Sequence, residues 1–360
     1  MKSSIKRMSA LLTMMAVAIL TFTFSGCSDD DDPVTEVTYT YGFSNMSASH
    51  PDFLEEMSKI EKGFQSALGI TGKPFTKKGS IEECDKQVYE ACQRAFDSLK
   101  GEAWQGDYTF QVTNVGTGKV VCTAIFSADD ENLTISTIGN KAMEDADTGD
   151  FYFSDGSFAD KSTELASWQK AACIGVVLKK GRDDSGDLVD NGNYTLKDGT
   201  TPMQKVHGYV LALRDANGGC QWGKLWTEVG CDRNQTTGFN GYSSTQTIVA
   251  FNKDKNWNLS DAFPAVYHAV NYETVCPAPS KTSGWFLPSG GQCQYWLENR
   301  DVILRSIQNA GGDGWKDWYC SSSEMSDSPE RNAYYLSMRY GYMDDDLKDF
   351  SCAVRACLAF

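Results

Sequence analysis

The chain ends on RYGYMDDDLKDFSCAVRACLAF, residues 339–360, where tyrosines, aspartates, a serine and a cysteine crowd before the apolar run VRACLAF. Cys352 and Cys357 are the late pair that a cysteine-based oxidase would need, but a five-residue spacing on or near a strand sends the two thiols to opposite faces. An iron site would need clustered histidines, and His50, His207 and His268 are scattered. The loop RDDSGDLVDNGN at 182–193 concentrates oxygen ligands; it lacks the register of an EF-hand and reads as a loop. No Ser/His/Asp ordering, phosphate loop or paired-carboxylate motif stands out. No catalytic residue, metal ligand or cofactor is therefore assigned. What the alphabet does fit is non-covalent recognition, because Tyr offers a large stiff contact with a polar tip while Ser and Asp offer adaptable hydrogen bonds.

At the other end, Lys2, Lys6 and Arg7 precede an apolar run over 11–24, the layout of a secretory signal peptide at 1–26. That run is too short for a comfortable membrane span. Phe24-Ser25-Gly26-Cys27 resembles a bacterial lipobox, with Phe where Leu is usual. The resemblance implies that Cys27 carries lipid, with palmitate among its acyl chains. Ser28 and the aspartates 29–32 resemble the acidic signal that sends lipoproteins of some didermal anaerobes to the outer face of the outer membrane. The same composition also makes an ordinary solvated tether over 27–36. The formal net charge of −15 becomes more negative once the basic signal is removed, so nucleic acid and anionic lipid are poor partners.

Twelve cysteines invite a disulfide framework, yet with Cys27 consumed by lipid an odd number remains, so some thiols stay free or buried. Cys84 and Cys92 lie eight apart in a helical pattern and read as packing positions. Cys220 and Cys231 flank a Trp-containing loop and form the first pair to test for a bridge.

These groups need elements to hold them. Over 37–126 the pattern predicts an α+β domain of a strand, two helices and a hairpin. Phe53, Leu54, Met57, Ile60, Phe64 and Leu68 recur at helical spacing. Ser80 with Glu83 caps a second helix that runs through Val88, Ala91, Ala95 and Leu99 to a stop at Gly101. DYTFQV and KVVCTAIF alternate around Gly116 and Gly118 as a hairpin. The polar stretch 127–149 reads as a linker, although Leu133, Ile135 and Ile138 could add a strand. Residues 150–360 form the second domain, with strands over 174–178 and 209–213. One long helix is predicted over 289–310, capped by Ser289 and Gln292 and stopped by Gly311-Gly312. Trp285 and Leu287 beside Pro288 pin its entrance, and Val354, Leu358 and Phe360 form one face of a closing strand. Arg355, pointing inward, needs an anionic or carbonyl partner.

DFYFSDGSFADK at 150–161, CIGVVL at 173–178, GWFLPSGGQ at 284–292, WYCSSSE at 318–324 and VRACLAF at 354–360 resemble, in order and spacing, landmarks of the formylglycine-generating-enzyme-like branch of the C-type lectin fold. They are similar also to the paralogous domains of that branch on bacterial surface lipoproteins. The resemblance covers 148–360 and implies a small N-terminal α+β domain followed by a C-type-lectin-like α+β domain. The EPN, QPD and WND motifs of calcium-dependent sugar binding are absent, so a lectin-like fold does not imply a lectin.

In retroelement-diversified members of that fold, the residues before the last strand form the ligand-binding face and are confined to those encoded by NNY codons. Tyr335, Ser337, Arg339, Tyr340, Tyr342, Asp344, Asp345, Asp346, Asp349, Phe350, Ser351 and Cys352 all fall within that set, with Met338, Met343 and Lys348 as framework. Trp315, Trp318 and Tyr334 could extend the patch, Trp318 serving equally as core. Tyr, Ser and Asp are also ordinary loop residues, so the gene's own codons decide whether diversification occurs. The expected function is a lipid-anchored, surface-exposed protein, not an enzyme, that binds an external protein or glycan through this face. The alternatives are a structural or tip component of a surface appendage, with the N-terminal unit as the assembly part, and a formylglycine-generating-like oxidase.

Overall fold

Tyr39, Tyr41 and Phe43 alternate along strand β1 (Glu36–Ser47) and so fall on one face, which packs on helices α1 (Phe53–Leu68) and α2 (Ile81–Leu99). The computed structural model describes residues 36–47, 51–128, 133–165, 167–181 and 194–360. The signal peptide, Cys27, the tether through residue 35, His50 and the oxygen-rich loop at 182–193 lie outside the described residues.

Strands β2 (Phe75–Lys78), β3 (Asp107–Asn114), β4 (Val120–Phe126) and β5 (Thr134–Ser136) complete an antiparallel sheet in the order β2-β1-β3-β4-β5. The optional strand around Ile135 is thus present, inside the stretch read as linker. In α1 the predicted stripe holds at Ile60, Phe64 and Leu68, but Leu54 is 74% exposed. In α2 the Ser80 side chain accepts from the Glu83 amide at 3.2 Å, and Cys84, Cys92, Val88 and Ala95 face the sheet. The hairpin turns on Gly118 in the left-handed region at φ 69°.

One buried carboxylate organises this unit. Asp85 accepts from the Tyr39 hydroxyl at 2.9 Å and the Asn114 amide at 3.0 Å, and meets Lys119 Nζ at 3.3 Å. Burial and the Asp85 carboxylate push the Tyr39 hydroxyl well above its usual pKa. Asp85→Ala strands two buried donors and is expected to cost about 1–3 kcal/mol in urea unfolding, whereas Lys119→Ala, at the exposed rim, is expected to cost less than about 1 kcal/mol.

The remaining chain builds two further sheets. One, in the order β15-β9-β8-β6-β7, contains β6 (Phe151–Phe153), β7 (Phe158–Ala159), β8 (Cys173–Lys180), β9 (Gly208–Ala212) and β15 (Cys357–Ala359), with α3 (Ser167–Ala172) leading into β8. The other, β10-β14-β11-β12-β13, contains β10 (Asn217–Gln221), β11 (Trp318–Glu324), β12 (Asn332–Ser337), β13 (Tyr342–Leu347) and β14 (Ser351–Val354). Between β10 and β11 in sequence come α4 (Gly241–Asp254), α5 (Leu259–Ala262), α6 (Pro264–Asn271), α7 (Gly290–Glu298) and α8 (Arg300–Asn309). Two apolar layers result, one around Trp296, Tyr319 and Leu336 and the other around Trp222, Phe263 and Tyr335.

Two expectations need correction here. The predicted single helix over 289–310 is two helices, broken at Asn299, whose side-chain amide donates to the Tyr295 carbonyl at 2.9 Å; such a local bond competes with helix continuation. Its start is as expected, with the reciprocal Ser289/Gln292 capping box formed and Leu287 fully buried. The predicted single closing strand is also two. β14 belongs to one sheet and β15 to the other, with Arg355 and Ala356 at the corner between them.

Candidate functional site

The C-terminal hairpin sets the geometry. β12 and β13 pair with Ser337 opposite Tyr342, Tyr335 opposite Asp344 and Ala333 opposite Asp346. Opposed residues share a face, so Tyr342, Asp344 and Asp346 lie on the side of Tyr335, while Met343 and Asp345 lie on the side of Leu336 and Tyr334. The turn is held by Ser337, whose carbonyl accepts from the Gly341 amide at 2.9 Å and whose hydroxyl accepts from the Tyr340 amide at 3.2 Å. Gly341 sits at φ 79°, a left-handed position that suits glycine.

Helix α6 packs over β10 and β14 on the Tyr335 side of the sheet, and α7 packs under β12 and β13 on the other side. The Tyr335 side is therefore left to side chains at its β13 end. There Trp318 contacts both Tyr340 and Phe350 edge-on, with ring centroids 6.1 and 5.6 Å apart, and Tyr340 stacks on Tyr342 at 6.1 Å. Tyr340 is 58% and Tyr342 47% exposed. The Arg339 guanidinium lies 5.4 Å from the Tyr340 ring and 3.6 Å from Asp317; both partners are well exposed, so this pair contributes little stability. Beside the rings a shallow cleft of about 370 Å³ is lined by Trp315, Lys316, Asp317, Trp318, Ser351 and the backbone at Gly218 and Gly219.

The twelve residues expected on the face divide on this geometry. Arg339, Tyr340, Tyr342, Asp346, Asp349 and Ser351 are exposed, and Asp344 and Phe350 half-buried. Asp345 turns to the other side and accepts from the Asn332 amide at 3.0 Å. Tyr335, Ser337 and Cys352 are buried, so they cannot touch an external ligand. Tyr335 closes the layer beneath Phe350 and donates to the Leu347 carbonyl at 2.8 Å, Ser337 builds the turn, and Cys352 is bonded to Cys320. Tyr334 faces the opposite layer and does not extend the patch; Trp318 does. Asp317, Lys316 and the two glycines of β10 carried no signal in the sequence, because only the sheet order brings them to this place.

Two devices anchor the face from below. Lys348 and Glu324 form a fully buried ion pair at 2.5 Å. The Lys348 ammonium also donates to the Thr227 carbonyl at 2.6 Å and lies 4.3 Å from the Trp222 ring. Burial pulls the Lys348 pKa down, and Glu324 opposes that pull. The second device is the Cys320–Cys352 disulfide between β11 and β14. The expected Cys220–Cys231 bridge is not formed. Cys220 sits on the edge strand β10, whereas Cys231 is buried with its thiol on the Ser322 carbonyl. Cys357 lies fully buried in a different layer from Cys352. Among the described residues, no group of three or more His, Cys, Asp or Glu is placed to hold a metal.

No family model matches the chain. A curated protein of Bacteroides ovatus named "Putative fimbrium tip subunit Fim1C" is 29% identical over 189 residues, which are 45% of this chain and 34% of that protein. The chain thus spans about a third of the length of its curated relative. A crystal structure of a fimbrial protein from Bacteroides ovatus aligns with a TM-score of 0.47 at 16% identity, covering 71% of this chain and 57% of the other. The curated match overturns the expected membership in the formylglycine-generating-enzyme-like branch of the C-type lectin fold. The matching protein is a fimbrial one, and no family model supports the lectin-like assignment. The retroelement reading rested on that membership and falls with it. The α+β class stands, as helices mixed with antiparallel sheets. The curated relative's name mentions no catalysed reaction.

Proposed function

We propose that this chain is a component of a fimbrial surface appendage, placed at or near its tip, with the Tyr340/Tyr342/Trp318 face turned outward to an external protein or glycan. The match to a fimbrium tip subunit supports the appendage role. The aromatic face supports recognition, because two neighbouring exposed tyrosines beside a tryptophan and a polar cleft form a contact surface of the kind that binding sites use. Acylation at Cys27 belongs to the same proposal, as the route by which the chain reaches the outer membrane before it joins the appendage. Among the described residues, no helix is long and apolar enough to cross a membrane.

The appendage role is tested by immunogold labelling of fimbriae sheared from cells that express an epitope-tagged chain. Label concentrated at filament ends is expected; label confined to the cell envelope, with none on filaments, sinks the role. Recognition is tested separately on glycan and protein arrays. The Tyr340→Ala/Tyr342→Ala double variant is expected to lose at least tenfold in affinity for any wild-type hit, since each exposed anchor removed from the centre of a contact costs about 1–2 kcal/mol. Both substitutions sit at exposed positions and should leave stability within about 1 kcal/mol of wild type. Unchanged binding to every hit removes this face from the account.

A further inference from the structure

Cys220 stands directly opposite Cys352 in the pairing of β10 with β14, and the Cys352 sulfur lies 3.6 Å from the Cys220 carbonyl oxygen. Directly opposed residues of antiparallel strands share a face, with Cα atoms about 4.5–5.5 Å apart, which falls inside the roughly 4.4–6.8 Å that a disulfide spans. Cys352 is already bonded to Cys320, at a Cα separation of 5.5 Å, on the strand that flanks β14 on its other side. Three cysteines therefore lie on three consecutive strands, β10, β14 and β11, against one apolar layer, with Cys352 in the middle. Cys220 is a free thiol and is half-buried rather than sealed.

We propose that Cys220 is an internal exchange partner for the Cys320–Cys352 disulfide, so that the chain has two covalent forms, one tying β14 to β11 and the other tying β14 to the edge strand β10. In the exchange, Cys220 gives up its proton and its sulfur attacks Cys352 Sγ from the side away from Cys320. The Cys220–Cys352 bond forms as the Cys320–Cys352 bond breaks. Cys320 leaves with the electron pair and takes up a proton, so there is no net oxidation and no external oxidant is needed. A Cys220–Cys320 bond is excluded, because β10 and β11 are two strand spacings apart, about 9–10 Å, beyond the roughly 7 Å limit for bridging.

Burial pushes the Cys220 thiol up to about 11, which keeps its thiolate scarce at neutral pH and makes the exchange slow. Cys320–Cys352 is the resting form. The consequence is local to the candidate face, since Gly218, Gly219, Ser351 and Cys352 all line the cleft beside Trp318. Moving the bond moves the covalent tie to the cleft's β10 wall.

The test is peptide mapping of the purified full chain after acid quenching, unfolding and alkylation. Wild type incubated at neutral pH is expected to yield a minor linked peptide pair containing Cys220 and Cys352, with Cys320 alkylated. A Cys320→Ser chain exposed to air oxygen is expected to link Cys220 to Cys352. A Cys352→Ser chain is expected to leave Cys220 and Cys320 both open to alkylation. A folded Cys320→Ser chain that keeps both thiols free overturns the proposal, as does a Cys220–Cys320 link in Cys352→Ser. Should Cys320→Ser not fold, the wild-type map decides, and absence of the Cys220–Cys352 pair after prolonged incubation overturns it.

Discussion

Lys348→Ala is expected to destabilise the protein by about 3–5 kcal/mol, the cost of leaving one member of a buried ion pair without its partner. The stranded group is Glu324, whose side chain is fully buried. Its two oxygens accept from the Val229 and Gly230 amides at 2.8 and 2.9 Å, so those bonds persist while the compensating charge is gone. Lys348 is equally committed. Its backbone amide donates to the Arg331 carbonyl at 2.8 Å, and its own carbonyl accepts from Gly223 at 3.0 Å. The pair thus ties the turn between β13 and β14 to the loop after β10 and to the end of β11. Removing both charges, as in Lys348→Met with Glu324→Leu, does not restore full stability here. It leaves two loop amides without acceptors at about 1–3 kcal/mol each. Guanidinium unfolding of the singles and the double checks this, and a loss under about 1 kcal/mol for Lys348→Ala would show that the pair contributes little. Because the turn carries Phe350, which packs on Trp318, the same variants are expected to weaken the aromatic face.

What the sequence disclosed follows the range of the interactions. The Ser289/Gln292 capping box, the Ser80 cap, the Gly311 stop and the hairpin at Gly118 all depend on residues within a few positions of each other, and each is present. The break at Asn299 is also local, but a single asparagine inside a helical pattern is too common to announce it. The sheet order is a different matter. That β14 lies between β10 and β11, and that the chain changes sheets at Arg355, depends on pairings across 132 residues for Cys220 and Cys352 and 32 for Cys320 and Cys352. Periodicity carries no such information. Local pattern therefore points to Cys220–Cys231 where the bond is Cys320–Cys352, and it draws the binding face as a continuous stretch. Strand alternation turns Asp345 to the other side of the sheet, and packing within the layer buries Tyr335, Ser337 and Cys352. Composition pointed to the tyrosines that are exposed, Tyr340 and Tyr342, and equally to Tyr335, which is buried. The lectin-like resemblance rests on short runs that are mostly core strands and a helix cap, features that unrelated α+β folds can share.

Arg355→Met is expected to cost about 3–5 kcal/mol, for the same reason as at Lys348 but at the corner between two sheets. The Arg355 side chain is fully buried. Its Nε donates to Asp215 Oδ1 at 2.7 Å and its Nη2 to the Asp313 carbonyl at 3.1 Å, with the Trp315 ring 4.9 Å away. The backbone on either side is held by the segment that carries Asp215. The Ala356 carbonyl accepts from Ala212 at 2.9 Å and the Val354 carbonyl from Ala216 at 2.7 Å. The guanidinium therefore fixes the point where β14 ends and β15 begins, and its loss should loosen both sheets in one transition rather than one before the other. Arg355→Met leaves Asp215 buried with only the Tyr319 hydroxyl, 3.0 Å away, and the adjacent dipoles to offset its charge. Removing that carboxylate as well, in Asp215→Leu with Arg355→Met, is expected to recover part of the loss, because the uncompensated charge is the larger cost and the stranded Tyr319 hydroxyl the smaller, about 1–3 kcal/mol. Chemical unfolding followed by both tryptophan fluorescence and circular dichroism separates the outcomes. Coincident transitions with a double variant more stable than Arg355→Met place the stabilisation in the ion pair. A double variant less stable than Arg355→Met places it instead in the hydrogen bond that Asp215 accepts from the Tyr319 hydroxyl, which only the second substitution removes.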